Sequence, residues 1–293
     1  MASLRATRAL KPLSLALLVS QAAIVVTGGA VRLTGSGLGC PTWPECTPGS
    51  YFPVENQVEG TFHSWIEFGN RLLTFVLVIF ALATLIAVLR SGRKDLRILA
   101  AGQFLGIFGQ GVLGGITVLT DLNPLTVASH FLLSIVLIAG ATSLHSRRKG
   151  PAAKTGASGV ISNYSKFHVT WTALVIVLGT IVTAAGPHAG DSDVPRLDVA
   201  MQDVARMHSI SVILLMLLTI AFYRRSELTA LTKHRIGIFF LISIAQGALG
   251  YIQYFLGVPE LLVGLHILGT TLVWIGAWRI WLSVQFRAKE MAL

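Results

Sequence analysis

Eight separate runs of about 20 predominantly apolar residues dominate this sequence and restrict the folds open to it. A helix that crosses a bilayer needs an apolar run of about this length. Only 12% of the residues are charged, against roughly 25% in average soluble domains. The sequence therefore predicts an all-α polytopic membrane protein with eight transmembrane helices. The runs cover residues 13–31, 66–89, 98–119, 125–144, 169–185, 204–223, 236–256 and 261–282.

Basic residues indicate the orientation of these helices. The formal net charge is +10, which in a soluble chain would suggest a nucleic-acid partner. Here the Lys and Arg residues lie in the N-terminal arm, in every second loop and in the C-terminal tail. Cytoplasmic loops of membrane proteins collect such residues. We therefore expect both termini on the cytoplasmic side of the cell membrane, four outer loops and no nucleic-acid partner.

A repeat divides the chain near its middle. The sequence QGVLG at residues 110–114 precedes His130 by 20 residues, and QGALG at residues 246–250 precedes His266 by the same distance. Each half holds four runs and so begins on the same side of the membrane, which makes the repeats parallel. Two pseudo-symmetric four-helix bundles are predicted. They are an N-terminal bundle at 1–145 with the longest outer loop at 33–65, a cytoplasmic linker at 146–165, and a C-terminal bundle at 166–293.

Three histidines are predicted to lie inside spans at one depth. Ionisable groups within a span are costly and usually functional. His130, His208 and His266 each lie five or six residues into a helix that runs inward from the outer side, about 9 Å below the surface. Facing imidazoles in a four-helix bundle suit the axial positions of haem iron, which predicts His208 and His266 as a pair. At the matching depth the second helix offers Glu67 and Asn70.

Other interpretations of the buried polar residues stay open. A single buried histidine is equally well explained by a hydrogen bond to a backbone carbonyl. Zinc is disfavoured because no Cys, Asp or Glu cluster completes a tetrahedral set. Gln110 and Gln246 are better explained as interhelical hydrogen bonds that pack the helices. The histidines at the span edges, His145, His168 and His234, are assigned no chemistry.

The first half departs from the symmetry. With His130 as its one firm ligand, iron there would be five-coordinate or weakly held, which suits a haem that enters and leaves as a substrate. A carboxylate such as Glu67 at this depth can move protons or stabilise positive charge, although a structural ion pair with Arg71 is the alternative. Arg206, Arg32 and Arg71 suit haem propionates or interfacial anchors equally well.

Cys40 and Cys46 are the only cysteines in the chain. Two are too few for a disulfide scaffold or a zinc site, so they are expected to act as one pair. They lie in the predicted outer loop, on the oxidising side of the membrane, where disulfides persist. A redox or regulatory role and a simple structural staple are both consistent with this position.

Three segments resemble the haem A synthase family, and the resemblance covers essentially the whole chain. Residues 28–46, GGAVRLTGSGLGCPTWPEC, are similar to the first helix and cysteine loop of the family. Residues 67–71, EFGNR, resemble its Glu-x-x-His-Arg segment, and residues 186–191, GPHAGD, match the motif after its fifth helix. The resemblance implies oxidation of the C8 methyl group of haem O to the formyl group of haem A, which haem-copper terminal oxidases need.

The resemblance also implies roles for individual residues. His208 and His266, with Arg206 nearby, would hold a permanent b-type haem in the C-terminal half. The N-terminal half would receive haem O, with Glu67 near the methyl group that is oxidised. Asn70 stands where many members have a histidine ligand, so His130 is expected to be the single ligand. The residues implied for the substrate half are His130, Asn70, Arg71 and Glu67, with the pair Cys40 and Cys46 assisting in transfer or redox chemistry.

Converting a methyl group to an aldehyde removes four electrons. Two successive hydroxylations followed by loss of water are the economical route, with the b haem relaying electrons. No flavin, nicotinamide or iron–sulfur motif identifies the electron donor. The expected partners are haem O synthase and the haem-copper oxidase assembly pathway. The alternatives are a carrier of haem O or haem B, or an assembly factor, that leaves the haem unchanged, and a dihaem electron-transfer cytochrome.

Overall fold

Eight α-helices form the computed structural model, which describes residues 2–55, 57–150, 152–154, 157–191 and 193–288. All eight are long and apolar enough to cross a membrane. The prediction of eight membrane-spanning helices in a multi-pass, all-α protein is therefore confirmed. The helices are α1 (Ala2–Leu33), α2 (Thr61–Arg90), α3 (Arg97–Leu119), α4 (Pro124–Ser146), α5 (Gly159–Ala185), α6 (Met201–Tyr223), α7 (Ala230–Phe255) and α8 (Glu260–Gln285).

Several helices extend beyond their apolar runs because polar residues cap them. The Asn123 side chain accepts a hydrogen bond from Leu125 N at 3.0 Å, and Pro124 follows at the first position of α4. Both features favour a helix start. The Ser158 hydroxyl accepts from Ile161 N at 3.4 Å at the start of α5. The predicted linker at 146–165 is therefore shorter than expected.

Three short elements were not predicted. Strand β1 (Ala152–Lys154) pairs antiparallel with strand β2 (Phe286–Ala288), and residues Lys94–Leu96 form a 3-10 turn before α3. The strand pair joins the linker between the halves to the end of α8. Short polar segments carry no apolar periodicity, which is why the sequence did not indicate them.

The helices pack in two similar sets. Within α1 to α4 each helix contacts the next and α1 contacts α4, and α5 to α8 repeat this pattern. Consequently α2 and α4 lie on one diagonal, and α6 and α8 on another. Contacts of α8 with α1 and α4, and of α4 with α5, join the sets. The Trp274 indole of α8 donates to Ile135 O of α4 at 2.7 Å at this seam.

Candidate functional site

Four polar side chains lie against a glycine of the preceding helix. A Cβ atom added to the glycine would lie 3.1–3.2 Å from Cε1 of a histidine in three cases, and 3.8 Å from an amide nitrogen in the fourth. Glycine therefore gives each ring the space to approach the neighbouring backbone. The positions are equivalent in the four consecutive helix pairs. They are Gly28 with Asn70, Gly114 with His130, Gly179 with His208, and Gly250 with His266.

The imidazole of His208 is held in one tautomer. Its Nδ1 lies 3.0 Å from Val175 O, and because a carbonyl only accepts, Nδ1 carries the proton. The lone pair is then on Nε2, the arrangement usual for a metal-ligating histidine. His266 lies across the α6–α8 diagonal. The structure therefore places these two predicted residues on opposite helices of one set, each seated on a glycine.

Two glutamines fix the backbone next to the other histidines. Gln110 Nε2 donates to His130 O at 3.1 Å, and Gln246 Nε2 donates to His266 O at 2.6 Å. The predicted interhelical hydrogen bonds are thus confirmed. Nδ1 of His130 and Nδ1 of His266 are buried with no hydrogen-bond partner in the part of the chain that the structure describes. Each QGxLG segment therefore supplies a glutamine that holds the histidine backbone and a glycine that admits its ring.

Asn70 occupies the fourth equivalent position. Its side-chain Oδ1 accepts a hydrogen bond of 2.8 Å from the Thr27 hydroxyl of α1. Its Nδ2 lies towards Gly28. His63 precedes Asn70 by seven residues, and its Nδ1 lies 2.9 Å from the Ser36 hydroxyl in the loop between α1 and α2. The side chain across from His130 is therefore an amide whose oxygen is already engaged.

Glu67 is buried in a network with Arg71. The carboxylate is 6% exposed, and its Oε1 accepts from Arg71 Nη2 at 2.6 Å and from Arg71 Nε at 3.1 Å. Its Oε2 accepts from Cys40 N at 2.7 Å. The ion pair between Glu67 and Arg71, which the sequence analysis gave as the alternative, is thus present. Through Cys40 N, Glu67 also contacts the loop between α1 and α2.

Arg71 also binds the backbone of this loop. Its guanidinium donates to Cys40 O at 2.7 Å, to Thr42 O at 3.1 Å and to Glu45 O at 3.1 Å. These bonds and the pair with Glu67 use most of its donors. Arg71 therefore holds the loop on α2, a contact that the sequence did not predict.

Cys40 and Cys46 form a disulfide that closes this loop. Both cysteines are fully buried. Between them, Trp43 lies flat on α3 at Gly115, where any side chain would overlap the indole. Gly115 follows Gly114, on which His130 is seated. The loop thus covers the end of the α1–α4 set that lies closest to His130, and we call this end of the molecule the disulfide end.

The other two predicted arginines also lie at the disulfide end. Arg32 Nη2 donates to His188 O at 2.5 Å, and His188 Nε2 lies 2.7 Å from Val258 O between α7 and α8. The segment at residues 186–191 therefore joins the end of α1 to the C-terminal helices. Arg206 is 76% exposed and pairs with Asp203 at 3.7 Å, so its guanidinium is available near His208.

His168 has a structural environment. It is fully buried, its Nε2 lies 3.1 Å from the Thr219 hydroxyl, and its ring packs edge-on against Phe239. The sequence analysis likewise assigns no chemistry to His168.

Sequence reasoning missed three features of the site. They are the glycines against which the polar side chains lie, the Thr27 partner of Asn70, and Trp43 on Gly115. The interval from Gly114 to His130 recurs from Gly250 to His266, and this repeated spacing was the signal for two of the glycines. No such repeat leads to Gly179, which was found only from the three-dimensional packing.

The donor set fits haem iron. Within the described ranges, no group of three or more His, Cys, Asp or Glu side chains converges as a polydentate metal site. Single or paired imidazoles instead suit a metal whose other ligands come from a porphyrin. The glycine seats and the free Nε2 lone pair of His208 are what axial ligation requires.

Comparisons with known proteins identify the family. Residues 12–195 match COX15-CtaA, described as cytochrome oxidase assembly protein. Curated relatives include a heme A synthase of Geobacillus kaustophilus, 31% identical over 110 residues (36% of this chain, 32% of the relative). A heme A synthase of Exiguobacterium sibiricum is 29% identical over 169 residues (56% and 55%). One of Lysinibacillus sphaericus is 35% identical over 121 residues (40% and 37%). The matched region thus covers from about a third to just over half of the length of these relatives. Because the family match extends over more than half of the chain, this protein belongs to the COX15-CtaA family of cytochrome oxidase assembly proteins.

Proposed function

We propose that this protein is a haem A synthase, which oxidises the C8 methyl group of haem O to a formyl group. The observation that carries the proposal is the set of four equivalent glycine-seated positions, three with histidine and one with Asn70. Two matched histidines suit a permanent haem, and a lone histidine beside a buried carboxylate suits a haem substrate. Family membership and relatives named heme A synthase support the same activity.

The two sets of helices are two bundles with different roles. The N-terminal bundle at residues 1–145 is the substrate half, and the C-terminal bundle at residues 166–293 is the b-haem half. The repeated pattern of helix contacts and the repeated Gln and Gly contacts with His130 and His266 support this division. The membrane is the cell membrane, with both termini cytoplasmic and the disulfide end outside, as the distribution of basic residues favours.

In the C-terminal bundle, His208 and His266 would hold a b-type haem through their imidazole nitrogens. When bound, that haem supplies one-electron transfer. Val175 O fixes the His208 ring, and Gln246 fixes the backbone of His266. Arg206 offers an exposed guanidinium for a propionate at the disulfide end.

In the N-terminal bundle, His130 is the single imidazole for haem O. Asn70 lies across the α2–α4 diagonal, and Thr27 already occupies one lone pair of its oxygen, so the amide is a poor iron ligand that carries two N–H donors. The side opposite His130 therefore stays open to an oxygen-bearing group that accepts a hydrogen bond. An open side suits a reaction that adds oxygen twice to the methyl carbon and then loses water.

Glu67 is the acid–base residue of this half. Arg71 and Cys40 N hold its carboxylate in place, and Oε2, which accepts only the bond from Cys40 N, retains a lone pair that can accept a proton. Removing hydrogen from a methyl group releases protons, and a buried, oriented carboxylate is a suitable acceptor. Arg71 acts as a positioning residue, and the disulfide of Cys40 and Cys46 keeps the loop seated on both side chains.

The proposed partners follow from this chemistry. Haem O synthase supplies the substrate, haem-copper oxidase assembly consumes the product, and an external donor delivers the electrons. A haem carrier is the second candidate, because the tight Glu67–Arg71 pair is also what a purely structural role for Glu67 would produce.

One experiment separates the two candidates. The protein is expressed in a host that makes haem O but not haem A, and extracted haems are resolved by chromatography with optical spectra. A synthase yields haem A, and Glu67→Gln abolishes that product while the b-type spectrum survives. Haem O and haem B bound without haem A, with a reductant supplied, would instead establish the carrier.

A further inference from the structure

The basic end of the molecule, opposite the disulfide end, contains three cations around a histidine, with no acidic partner among the described residues. The cluster consists of Lys11 on α1, the His145 imidazole and Arg148 at the end of α4, and Arg279 on α8. His145 has Lys11, Arg148 and Arg279 as its charged neighbours, and Arg279 also acts on Arg148. None of these residues takes part in a salt bridge within the described ranges. We call these four residues the basic cluster.

Arg148 is the least exposed member of the cluster. It is 8% exposed, its Nε is buried without a hydrogen-bond partner among the described residues, and its Nη1 donates to His145 O at 2.6 Å. Burial and the nearby Arg279 charge lower the pKa of Arg148. A buried cation needs a counter-charge. The surrounding cations raise the free-energy cost of burying Arg148 instead of lowering it. An anion bound in the cluster would accept a hydrogen bond from Arg148 Nε and offset the repulsion between Arg148 and the neighbouring cations.

The surface beside the cluster is apolar and exposed on α1 and α8. On α1, Leu15 and Val19 follow Lys11 at intervals of four residues, and both are exposed. On α8, Leu268 and Leu272 lie on the same exposed side as Arg279. Gly29 of α1 packs on Ile267 of α8, so these two exposed faces flank one helix contact. The exposed apolar residues of α1 and those of α8 thus extend along their helices from the end that carries the basic cluster.

We propose that the basic cluster binds the phosphate of an anionic glycerophospholipid whose acyl chains lie along the exposed apolar faces of α1 and α8. A basic pocket between helices at the cytoplasmic side is the usual form of such a site. The lipid would stabilise the seam, since α1 and α4 belong to one set of helices and α8 to the other. This site lies at the opposite end of the helices from the disulfide loop and does not depend on the proposed enzymatic function.

The test measures thermal unfolding of the full-length protein in a neutral detergent, titrated with phosphatidylglycerol, phosphatidylcholine or inorganic phosphate. Phosphatidylglycerol is expected to raise the melting temperature through preferential binding to the folded state, and phosphatidylcholine is not. Arg148→Gln and Arg279→Gln should each weaken the apparent affinity about fivefold. Arg148→Lys, which keeps the charge, should retain most of it.

Arg90→Gln is the matched control, because Arg90 is an exposed arginine at the basic end of α2 and its loss changes the net charge equally. It should leave the phosphatidylglycerol effect unchanged. Equal weakening by Arg90→Gln would show attraction to general surface charge and overturn the proposal. So would an unchanged response of Arg279→Gln, whose exposed side chain can be replaced without disturbing the fold. Equal stabilisation by inorganic phosphate would identify a small-anion site and overturn the lipid assignment.

Discussion

The Thr27 hydroxyl donates a hydrogen bond of 2.8 Å to Oδ1 of Asn70, at the position that is equivalent to three histidines in the other helix pairs. This bond engages the amide oxygen, while the amide nitrogen, which only donates, lies towards Gly28. A donor at this point binds an oxygen atom but does not ligate iron. The difference between the two halves therefore rests on one side chain and its partner.

Replacement of Asn70 by histidine tests this difference. Asn70→His is expected to give the substrate haem a second imidazole and convert it from a high-spin to a low-spin form. Electron paramagnetic resonance of the oxidised protein reports the spin state. His208→Asn is the reciprocal control and should produce a high-spin signal in the C-terminal half. Retention of high-spin iron in Asn70→His would contradict an equivalent position for Asn70.

The glycine seats are predicted to control haem retention. A Cβ on Gly250 would lie 3.1 Å from Cε1 of His266, so Gly250→Val should displace the ring and lower haem B content by more than half. Gly247, one turn away, has no neighbour within 4 Å of such a Cβ, and Gly247→Val is the matched control. Haem per protein is measured by the pyridine haemochrome assay. Equal losses in both variants would indicate helix destabilisation rather than displacement of His266.

The eight spans and the common depth of the histidines could be predicted because both depend on local sequence. Length and apolar composition determine the spans, and the repeated Gln–Gly spacing relates His130 to His266. The exact helix boundaries could not be predicted in this way. Caps at Asn123 and Ser158 move helix starts, and these shifts depend on individual hydrogen bonds.

The environment of Glu67 could not be predicted in the same way. Its position one turn before Arg71 indicated an ion pair, but the bonds from Arg71 to Cys40 O and Glu45 O join residues far apart in the sequence. Such contacts follow from how the loop packs on α2. Trp43 on Gly115 is another example, since neither residue has a sequence pattern that indicates the other.

Loss of Arg71 is expected to destabilise the protein more than loss of Glu67. Arg71→Gln leaves a buried carboxylate without its partner, which costs about 3 kcal/mol, whereas Glu67→Gln leaves a neutral amide that still accepts from Cys40 N. The double variant Glu67→Gln/Arg71→Gln should be more stable than Arg71→Gln alone. Chemical denaturation in detergent measures all three midpoints. A double variant less stable than Arg71→Gln would show that the buried charge is not the source of the loss.

Removal of the disulfide is predicted to act on the same loop as removal of Arg71. Cys40→Ser/Cys46→Ser should cost about 2 kcal/mol and free Trp43, which is 40% exposed, from its contact with Gly115, so that its fluorescence shifts to longer wavelength. Because Arg71 binds the carbonyls of Cys40, Thr42 and Glu45, the loop that the disulfide closes is also the loop that Arg71 holds. Combining the cysteine changes with Arg71→Gln should therefore cost less than the sum of the separate effects, by more than about 0.5 kcal/mol. Trp43→Phe in the same background identifies the fluorescence signal. Strictly additive costs would mean that the disulfide and Arg71 stabilise the protein independently, and Glu67 would then not depend on the disulfide for its position.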